Sequence, residues 1–209
     1  MQKKRPRSSE RSREEILSAA EEQFGEKGFY GARIDAIAQQ SGLNKNMLYI
    51  HFGSKEELYR QVLLNMYKRM EEAEQRLLDT NVEGIELISG LISAYFEFLS
   101  QNTAFVNILM SENLMQAQFF KQLPRECIAR KTLAQLAARI RKGCDEGVFR
   151  SDIDENEVVL TLNTICFSSF SNRFTLSWLM GYDLQEPAAL ERRKNQAIEI
   201  MLSYLTRSV

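Results

Sequence analysis

The chain has 209 residues, of which 44% are hydrophobic, and its formal net charge at pH 7 is −1. This length and apolar content allow a substantial buried core, which excludes a largely disordered chain. A total charge near zero gives no sign of a nucleic-acid partner, so any such sign has to come from how charge is distributed along the chain.

The first residues of the chain are strongly basic. Between residues 1 and 13 a single acidic side chain, Glu10, stands among six basic ones: Lys3, Lys4, Arg5, Arg7, Arg11 and Arg13. We interpret residues 1–12 as a flexible basic arm. The polar stretch from Ser8 to Glu15 lacks the apolar segment of a secretory signal, so we expect a cytoplasmic protein.

Cysteine and histidine usage argues against metal, redox and nucleophilic chemistry. The three cysteines, at positions 127, 144 and 166, are widely spaced and form no CxxC pair, and His51 is the single histidine. No GxSxG, HExxH, GxGxxG or P-loop pattern occurs. We therefore expect reduced thiols, no metal or cofactor, and no enzymatic activity.

One long run of the sequence, residues 158–182, is only weakly charged. It contains Arg173, Asn163 and Asn172 together with many serines and threonines. Placing these polar and charged groups against lipid would cost free energy. We therefore interpret the run as a buried helix and expect no membrane partner.

Helical periodicity runs through the whole sequence, and no alternating, strand-like stretch of any length occurs. Half of the 10 glycines lie between residues 25 and 53, which indicates short helices joined by tight turns, followed by longer helices. We predict an all-α protein with about nine helices. Their expected ranges are 11–26, 34–40, 45–52, 54–78, 82–101, 104–115, 124–146, 155–180 and 187–207.

Residues with known capping preferences mark several helix ends. Gly42 stands just past the second helix, where a left-handed residue is needed. Asn44 is a good N-cap for the third helix. Ser54 and Glu57 have the spacing of an S-x-x-E capping box at the start of the fourth, and Asp154 is placed to cap the helix that follows it.

The segment SGLNKNMLYIHFGSKEELY, residues 41–59, combines many polar groups with a glycine turn. Two short helices joined by such a turn cross closely, which requires a small residue near the crossing and apolar residues on both sides of the turn. Ala38 meets the first requirement, and Ile37, Leu43 and Leu48 meet the second. The pattern predicts a helix-turn-helix.

The third helix of this motif carries donors and a tyrosine hydroxyl suited to base edges and phosphate oxygens. The N-terminus of the fourth helix, with Lys55 beside it, favours a phosphate. The alternative interpretation is that Tyr49, His51 and Phe52 form a half-buried aromatic patch with no role in binding.

The run EKGFYGARIDAIAQQSGLNKNMLYIHFGSKEELY, with ILSAAEEQFGEKG ahead of it, resembles the N-terminal DNA-binding domain of the TetR family of bacterial transcriptional regulators. The match covers about residues 13–60. The resemblance implies phosphate contacts from Tyr49, His51 and Lys55, and major-groove contacts from Lys45, Asn46 and Met47.

Two positions depart from the family pattern. Arg33 replaces the usual Ser or Thr that caps the second helix and contacts a phosphate, so this helix lacks its normal side-chain cap, although the arginine could reach a phosphate itself. Asn44 replaces the customary Ser at the next N-cap, which is a chemically similar choice. Both stay within the expected DNA-contacting set.

Residues 170–205, FSNRFTLSWLMGYDLQEPAALERRKNQAIEIMLSYL, resemble the C-terminal domain of a TetR subgroup that includes pyrimidine-utilisation and nicotinate-degradation regulators. This resemblance implies a dimer held by a four-helix bundle. Dimerisation also follows from recognition geometry, because two-fold partners must present their helices about 34–36 Å apart. The helix around Phe167 to Trp178 suits close packing with a partner, and the alternative interpretation is an ordinary core helix.

An effector pocket is expected among the aromatic and methionine side chains of the later helices. Such stripes more often belong to a plain core, and an ordinary core is the alternative interpretation of these residues. Few charges accompany them, which suggests a mostly apolar or aromatic effector. The candidate lining residues are Met66, Met70, Phe98, Phe105, Asn163, Phe167 and Phe170.

These expectations combine into a homodimeric repressor that binds double-stranded operator DNA until a small-molecule effector releases it. Residues 13–58 form the expected DNA-binding domain and residues 59–209 the effector-binding and dimerisation domain. The alternatives left open are a transcriptional activator, a DNA-binding protein without an effector, and an all-helical interaction protein with no DNA role.

Overall fold

A computed structural model describes the backbone of residues 9–128 and 131–206. Every regular element in these two ranges is helical, which confirms the all-α prediction. The α-helices are α1 (Ser9–Gly31), α2 (Ile34–Ser41), α3 (Lys45–Phe52), α4 (Lys55–Leu78), α5 (Gly84–Gln101), α6 (Thr103–Leu114), α7 (Arg125–Ile128), α8 (Lys131–Asp145), α9 (Glu155–Ser171), α10 (Arg173–Met180) and α11 (Pro187–Thr206), and a 3₁₀ turn spans Phe120–Gln122.

The later helices are divided more finely than the sequence predicts. The single helix expected over residues 155–180 is two helices, because the chain leaves helical geometry at Asn172, with φ −99° and ψ 11°. The Asn172 side-chain amide donates to the Ser168 carbonyl oxygen and to the Ser171 hydroxyl, and such local bonds compete with helix continuation. The helix expected over residues 124–146 corresponds to α7 and α8.

The predicted basic arm extends too far into the chain. Residues 9–12 form the first turn of α1, where Ser12 is buried and Arg11 Nε lies 3.1 Å from Glu15 Oε1. Residues 1–8 of the arm lie outside the described residues. Further along α1, Gly28 has φ 66° and ψ 175°, so the regular helix is interrupted where its end was predicted.

The described chain divides into two compact units. The first contains α1, α2, α3, the part of α4 up to Tyr67, and residues 104–128. The second contains the rest of α4 from Lys68, then α5, and the helices from α8 to α11. The units therefore do not divide at the expected boundary between residues 58 and 59, and α6 belongs with the first unit.

An aromatic cluster forms the centre of the first unit. The ring centroids of Phe24 and Tyr59 lie 4.8 Å apart, and those of Phe29 and Phe119 lie 4.2 Å apart. Phe119 follows α6 in the chain and also lies 5.1 Å from Tyr59. The segment after α6 thus supplies part of the core on which the short helices pack.

Helix α6 also approaches α1 closely. A Cβ atom added to Gly25 would lie 2.8 Å from the Cβ of Ala104, which is shorter than real contacts allow. The Asn107 side-chain amide donates to the Gly25 carbonyl oxygen at 3.0 Å. A glycine is required at position 25 because two helix backbones meet there.

The second unit has an apolar core with one buried carboxylate. Helix α5 buries Leu87, Ile88, Leu91 and Ile92. Glu74 of α4 is 2% exposed, and its carboxylate accepts hydrogen bonds from the Tyr95 hydroxyl, at 2.6 Å, and from the Thr132 hydroxyl. These bonds join α4, α5 and α8, and they stabilise a carboxylate that would otherwise be costly to bury.

Candidate nucleic-acid interface

The turn between α2 and α3 is built as the sequence predicts. Gly42 adopts a left-handed conformation, with φ 66° and ψ 24°, and its N–H donates to the carbonyl oxygens of Ala38 and Gln39. Leu43 N–H also donates to the Ala38 carbonyl oxygen, at 3.1 Å. The Asn44 side chain caps α3 by accepting from Met47 N–H at 3.0 Å. Three residues thus connect the two helices.

Helix α3 buries one face and exposes the other. Leu48 and Phe52 are 2% and 5% exposed, respectively. At about 100° per residue, four exposed positions occupy one arc of about 140° that excludes both buried residues. They are Lys45, Asn46, Tyr49 and Ile50.

Lys45 is engaged in an ion pair across the turn. Its Nζ lies 3.0 Å from Asp35 Oδ1 of α2, and this hydrogen bond raises the pKa of Lys45 above its usual value. Both side chains are about half exposed or more, so the pair is screened by water. The ammonium is therefore charged and retains access to a ligand on the exposed face.

Lys55 lies at the first position of α4. Its Nζ is 4.8 Å from the ring centroid of Phe29, and partial burial lowers its pKa. The Ser54 hydroxyl accepts from Glu57 N–H at 3.1 Å, which is one half of the predicted capping box. The Glu57 carboxylate accepts from Arg60 and Gln61 instead of completing that box. Lys55 thus adds a positive charge to a helix N-terminus.

The other expected contact residues differ in accessibility. Tyr49 is 44% exposed. Met47 is half-buried. The Nε2 atom of His51 is buried and has no hydrogen-bond partner, so a phosphate contact from this ring would use Nδ1 or require the ring to turn. Arg33 is exposed and its side chain does not cap α2, as predicted from the missing Ser or Thr.

The sequence-based interpretation missed Ile50, which is 73% exposed on the same arc as Lys45 and Asn46. The signal was present, since Ile50 follows Asn46 by four residues and therefore shares its face. Apolar residues are normally assigned to the core, which is why the exposure of Ile50 was not predicted. The Ile50 side chain places an exposed apolar group on this face beside Lys45 and Asn46.

The expected effector residues do not all fall in one unit. Met66 and Phe105 are both 1% exposed and belong to the first unit, where Tyr67 packs 5.8 Å from Phe105. The second unit contains the remaining five: Met70, Phe98, Asn163, Phe167 and Phe170.

Within the second unit these five residues have different surroundings. The ring of Phe170 lies 5.4 Å from that of Phe96, and the Asn163 amide donates to the Val159 carbonyl oxygen. Phe98 borders an open groove of about 310 Å³ between α4 and α5, with Arg76 and Glu97 among its other lining residues. The buried carboxylate of Glu74 was not anticipated from the sequence.

In the two ranges that the structure covers, no group of three or more His, Cys, Asp and Glu side chains is arranged to hold a metal ion. Of the helices in those same ranges, none has both the length and the apolar content needed to cross a membrane.

Comparison with known proteins identifies the family. Residues 16–62 match the family model described as bacterial regulatory proteins of the tetR family, and residues 85–201 match the tetracyclin repressor-like C-terminal domain. The chain belongs to the TetR family of bacterial regulators. The helix-turn-helix lies wholly inside the first matched region.

Individual relatives agree with this membership. The HTH-type transcriptional repressor NicS of Pseudomonas putida is 31% identical over 186 residues, which cover 88% of each chain. The HTH-type transcriptional repressor KstR2 of Mycolicibacterium smegmatis is 27% identical over 94% of this chain and 91% of its own. The solved structure of KstR2 from Mycobacterium tuberculosis has the same fold, with a TM-score of 0.70 and 24% identity over 94% of this chain and 95% of that one.

Proposed function

We propose that this TetR-family regulator is a homodimeric repressor that binds operator DNA in the cytoplasm and is released by a small-molecule effector. The exposed face of α3 carries the proposal, because it places hydrogen-bond donors outward beside the positively charged N-terminus of α4. DNA binding is assigned to the first unit, and effector binding and dimerisation to the second.

The proposed DNA contacts divide by chemistry. Lys45, Asn46 and Met47 face base edges in the major groove, where donors and acceptors distinguish base pairs. The remaining contacts hold phosphates and set the position of α3 without reading sequence. They come from Arg33, Asn44, Tyr49, His51 and Lys55.

Exposed apolar side chains on α9 and α11 support the homodimer. Leu160 of α9 is 58% exposed, and Ile200 and Tyr204 of α11 are 44% and 45% exposed. Two smaller exposed residues, Thr161 and Thr164, follow Leu160 on α9. Two such helices from each subunit would bury the apolar groups in a four-helix seam, with the small residues allowing close approach.

The effector is assigned to the second unit, with Met70, Phe98, Asn163, Phe167 and Phe170 as the proposed contacts. A mostly apolar or aromatic molecule suits these side chains. An effector shifts operator affinity only through its different affinities for two conformations, and such coupling is typically about 1–3 kcal/mol. Helix α4 is the proposed lever, because it begins at Lys55 and continues through Met70 and Glu74.

The test combines a gel shift with a reporter assay. We expect the full-length protein to retard the duplex from upstream of its own gene, and to lower expression of a reporter placed behind that duplex. No preference over random DNA of equal length would contradict the proposal. Raised reporter expression would favour the activator, and a ligand screen by thermal shift that finds no stabilising compound would favour a regulator without an effector.

A further inference from the structure

A small groove lies where α9, α10 and α11 meet in the second unit. Its volume is about 210 Å³. Pockets for drug-sized ligands usually measure about 300–1,000 Å³, so this groove suits a smaller molecule. Among the described residues that line it, Arg193 of α11 is the charged one. The apolar walls come from Leu176, Met180, Leu184 and Leu190.

The guanidinium of Arg193 is held in place from one side. Its Nε donates to the Ser169 hydroxyl oxygen at 3.3 Å, and that hydroxyl donates to the Ile165 carbonyl oxygen at 3.3 Å. Ser169 is 7% exposed, so the guanidinium is fixed to a buried part of α9. The two N–H groups on each Nη atom have no hydrogen-bond acceptor in the described chain.

The positive charge of Arg193 has no carboxylate partner within 4.0 Å among the residues that the structure covers. Neighbouring acids are engaged elsewhere, since Glu191 lies 2.7 Å from Lys194 and Asp183 accepts a backbone N–H of its own turn at 2.8 Å. Cys166 is 1% exposed, and burial raises the pKa of its thiol to about 12, so this thiol supplies no negative charge near neutral pH.

The combination of an uncompensated guanidinium and apolar walls favours one class of ligand. A guanidinium forms two parallel, charge-assisted hydrogen bonds with a carboxylate. Leucine and methionine side chains favour a hydrocarbon body, because removing apolar surface from water is favourable. A molecule with both features complements the charge and the walls of the groove together.

We propose that this groove binds a small amphipathic carboxylic acid. Its carboxylate accepts from the Nη groups of Arg193, and its hydrocarbon part packs against the leucine and methionine side chains. None of the side chains proposed to contact the effector lines this groove. The proposal therefore depends neither on that assignment nor on DNA binding.

The test is calorimetric titration of the full-length protein with three probes. Hexanoate has both features, hexanamide lacks the charge, and acetate lacks the hydrocarbon body. We expect hexanoate to bind about tenfold or more tightly than either of the others, as expected for the loss of a hydrogen bond to a charged group or of several buried methylenes. Equal affinities for hexanoate and either analogue, or no binding of any probe, would overturn the proposal.

Substitution of the arginine gives a second readout. Arg193→Gln should reduce hexanoate affinity to that of hexanamide, and Arg193→Lys should lie between the two because it keeps the charge but not the planar fork. Arg192→Gln is the matched control, since Arg192 is exposed, carries the same charge and does not line the groove. Circular dichroism verifies that each variant is folded. Equal losses from Arg193→Gln and Arg192→Gln would overturn the proposal.

A carboxylate from a second copy of the chain is the alternative occupant. Sedimentation of the same two variants separates it from a small molecule. We expect Arg193→Gln and Arg192→Gln to self-associate equally. Weaker self-association of Arg193→Gln, together with no binding of hexanoate to the wild type, would overturn the proposal and assign the groove to a protein carboxylate.

Discussion

At the scale of single residues, Lys55 and the exposed face of α3 are expected to have separable effects on DNA binding. Lys55 lies at a helix N-terminus beside Phe29, where a phosphate is the expected partner and no base edge is required. Lys45 and Asn46 lie on the exposed arc of α3, where base edges are the expected partners. Lys55 is thus expected to fix the position of the protein on the duplex, whereas Lys45 and Asn46 are expected to read its base sequence.

Lys55→Ala should weaken binding to cognate and random duplexes by the same factor. One lost phosphate contact should also reduce the slope of log K against log salt concentration by about 0.9. Fluorescence anisotropy across a salt series measures both quantities. Lys68→Ala is the control, because Lys68 lies on the same helix and its side chain is 74% exposed. A loss confined to the cognate duplex would contradict this role.

Ile50 is expected to contact a thymine methyl group, the apolar feature that the major groove presents. Replacing that thymine by uracil should cost about 0.8 kcal/mol, or about fourfold in affinity, for the wild type. The same base change should not alter the affinity of the Ile50→Ala variant, because this variant lacks the side chain that would contact the methyl group. Competition binding with a set of duplexes, each carrying one uracil, measures this coupling. Equal uracil effects in both proteins would contradict the contact.

At the scale of helices, the closest approach in the first unit is between α1 and α6. Gly25→Ala would place a Cβ 2.8 Å from Ala104 Cβ and should destabilise the protein by about 1–3 kcal/mol, as overpacking does. Gly31→Ala is the matched control in the same helix, since its nearest neighbour is the Lys27 Cβ of the preceding turn, at 3.2 Å, and no second helix approaches it within 4 Å. Denaturant unfolding compares the two variants.

The double variant Gly25→Ala with Ala104→Gly tests the cause of that destabilisation. Removing the Ala104 methyl should restore part of the lost stability, because the two positions are in direct contact. Additive losses in the double variant would show that Gly25 is needed for some reason other than the approach of α6.

The helix-turn-helix was predictable because its signals are local. Gly42, Asn44 and Ser54 each specify a turn or cap within a few residues, and the structure has all three as expected. Parts of the fold that depend on distant contacts were not predicted. The packing of Phe119 on Phe29 joins segments far apart in the chain, and no periodic pattern reveals which unit α6 belongs to.

The candidate site residues were also predictable to different degrees, depending on whether their signals are local in the chain. The polar arc of α3 follows from helical spacing, whereas Ile50 was missed because apolar residues are normally assigned to the core. In the sequence, Glu74 is one of several acidic residues on a charged helix. Only tertiary packing brings Tyr95 and Thr132 to its carboxylate. The interruption at Asn172 was also missed, since nearby residues continue the helical pattern.

At the scale of the whole molecule, operator spacing should reflect two-fold symmetry. Two α3 helices related by a dimer axis reach half-sites about one helical turn apart, so insertion of half a turn, about five base pairs, moves one half-site to the opposite side of the duplex. We expect affinity for such a duplex to fall to that for random DNA. Unchanged affinity, measured by gel shift, would indicate that each subunit binds independently.

The most direct test of the central claim, that the exposed face of α3 reads duplex DNA as part of a dimer, is selection of binding sites from a random duplex library by the full-length protein. We predict that sequencing will recover an inverted repeat with half-sites about one helical turn apart, and that Lys45→Ala or Asn46→Ala will select a different repeat. Recovery of no enriched sequence, or of the same sequence by all three proteins, would contradict the claim.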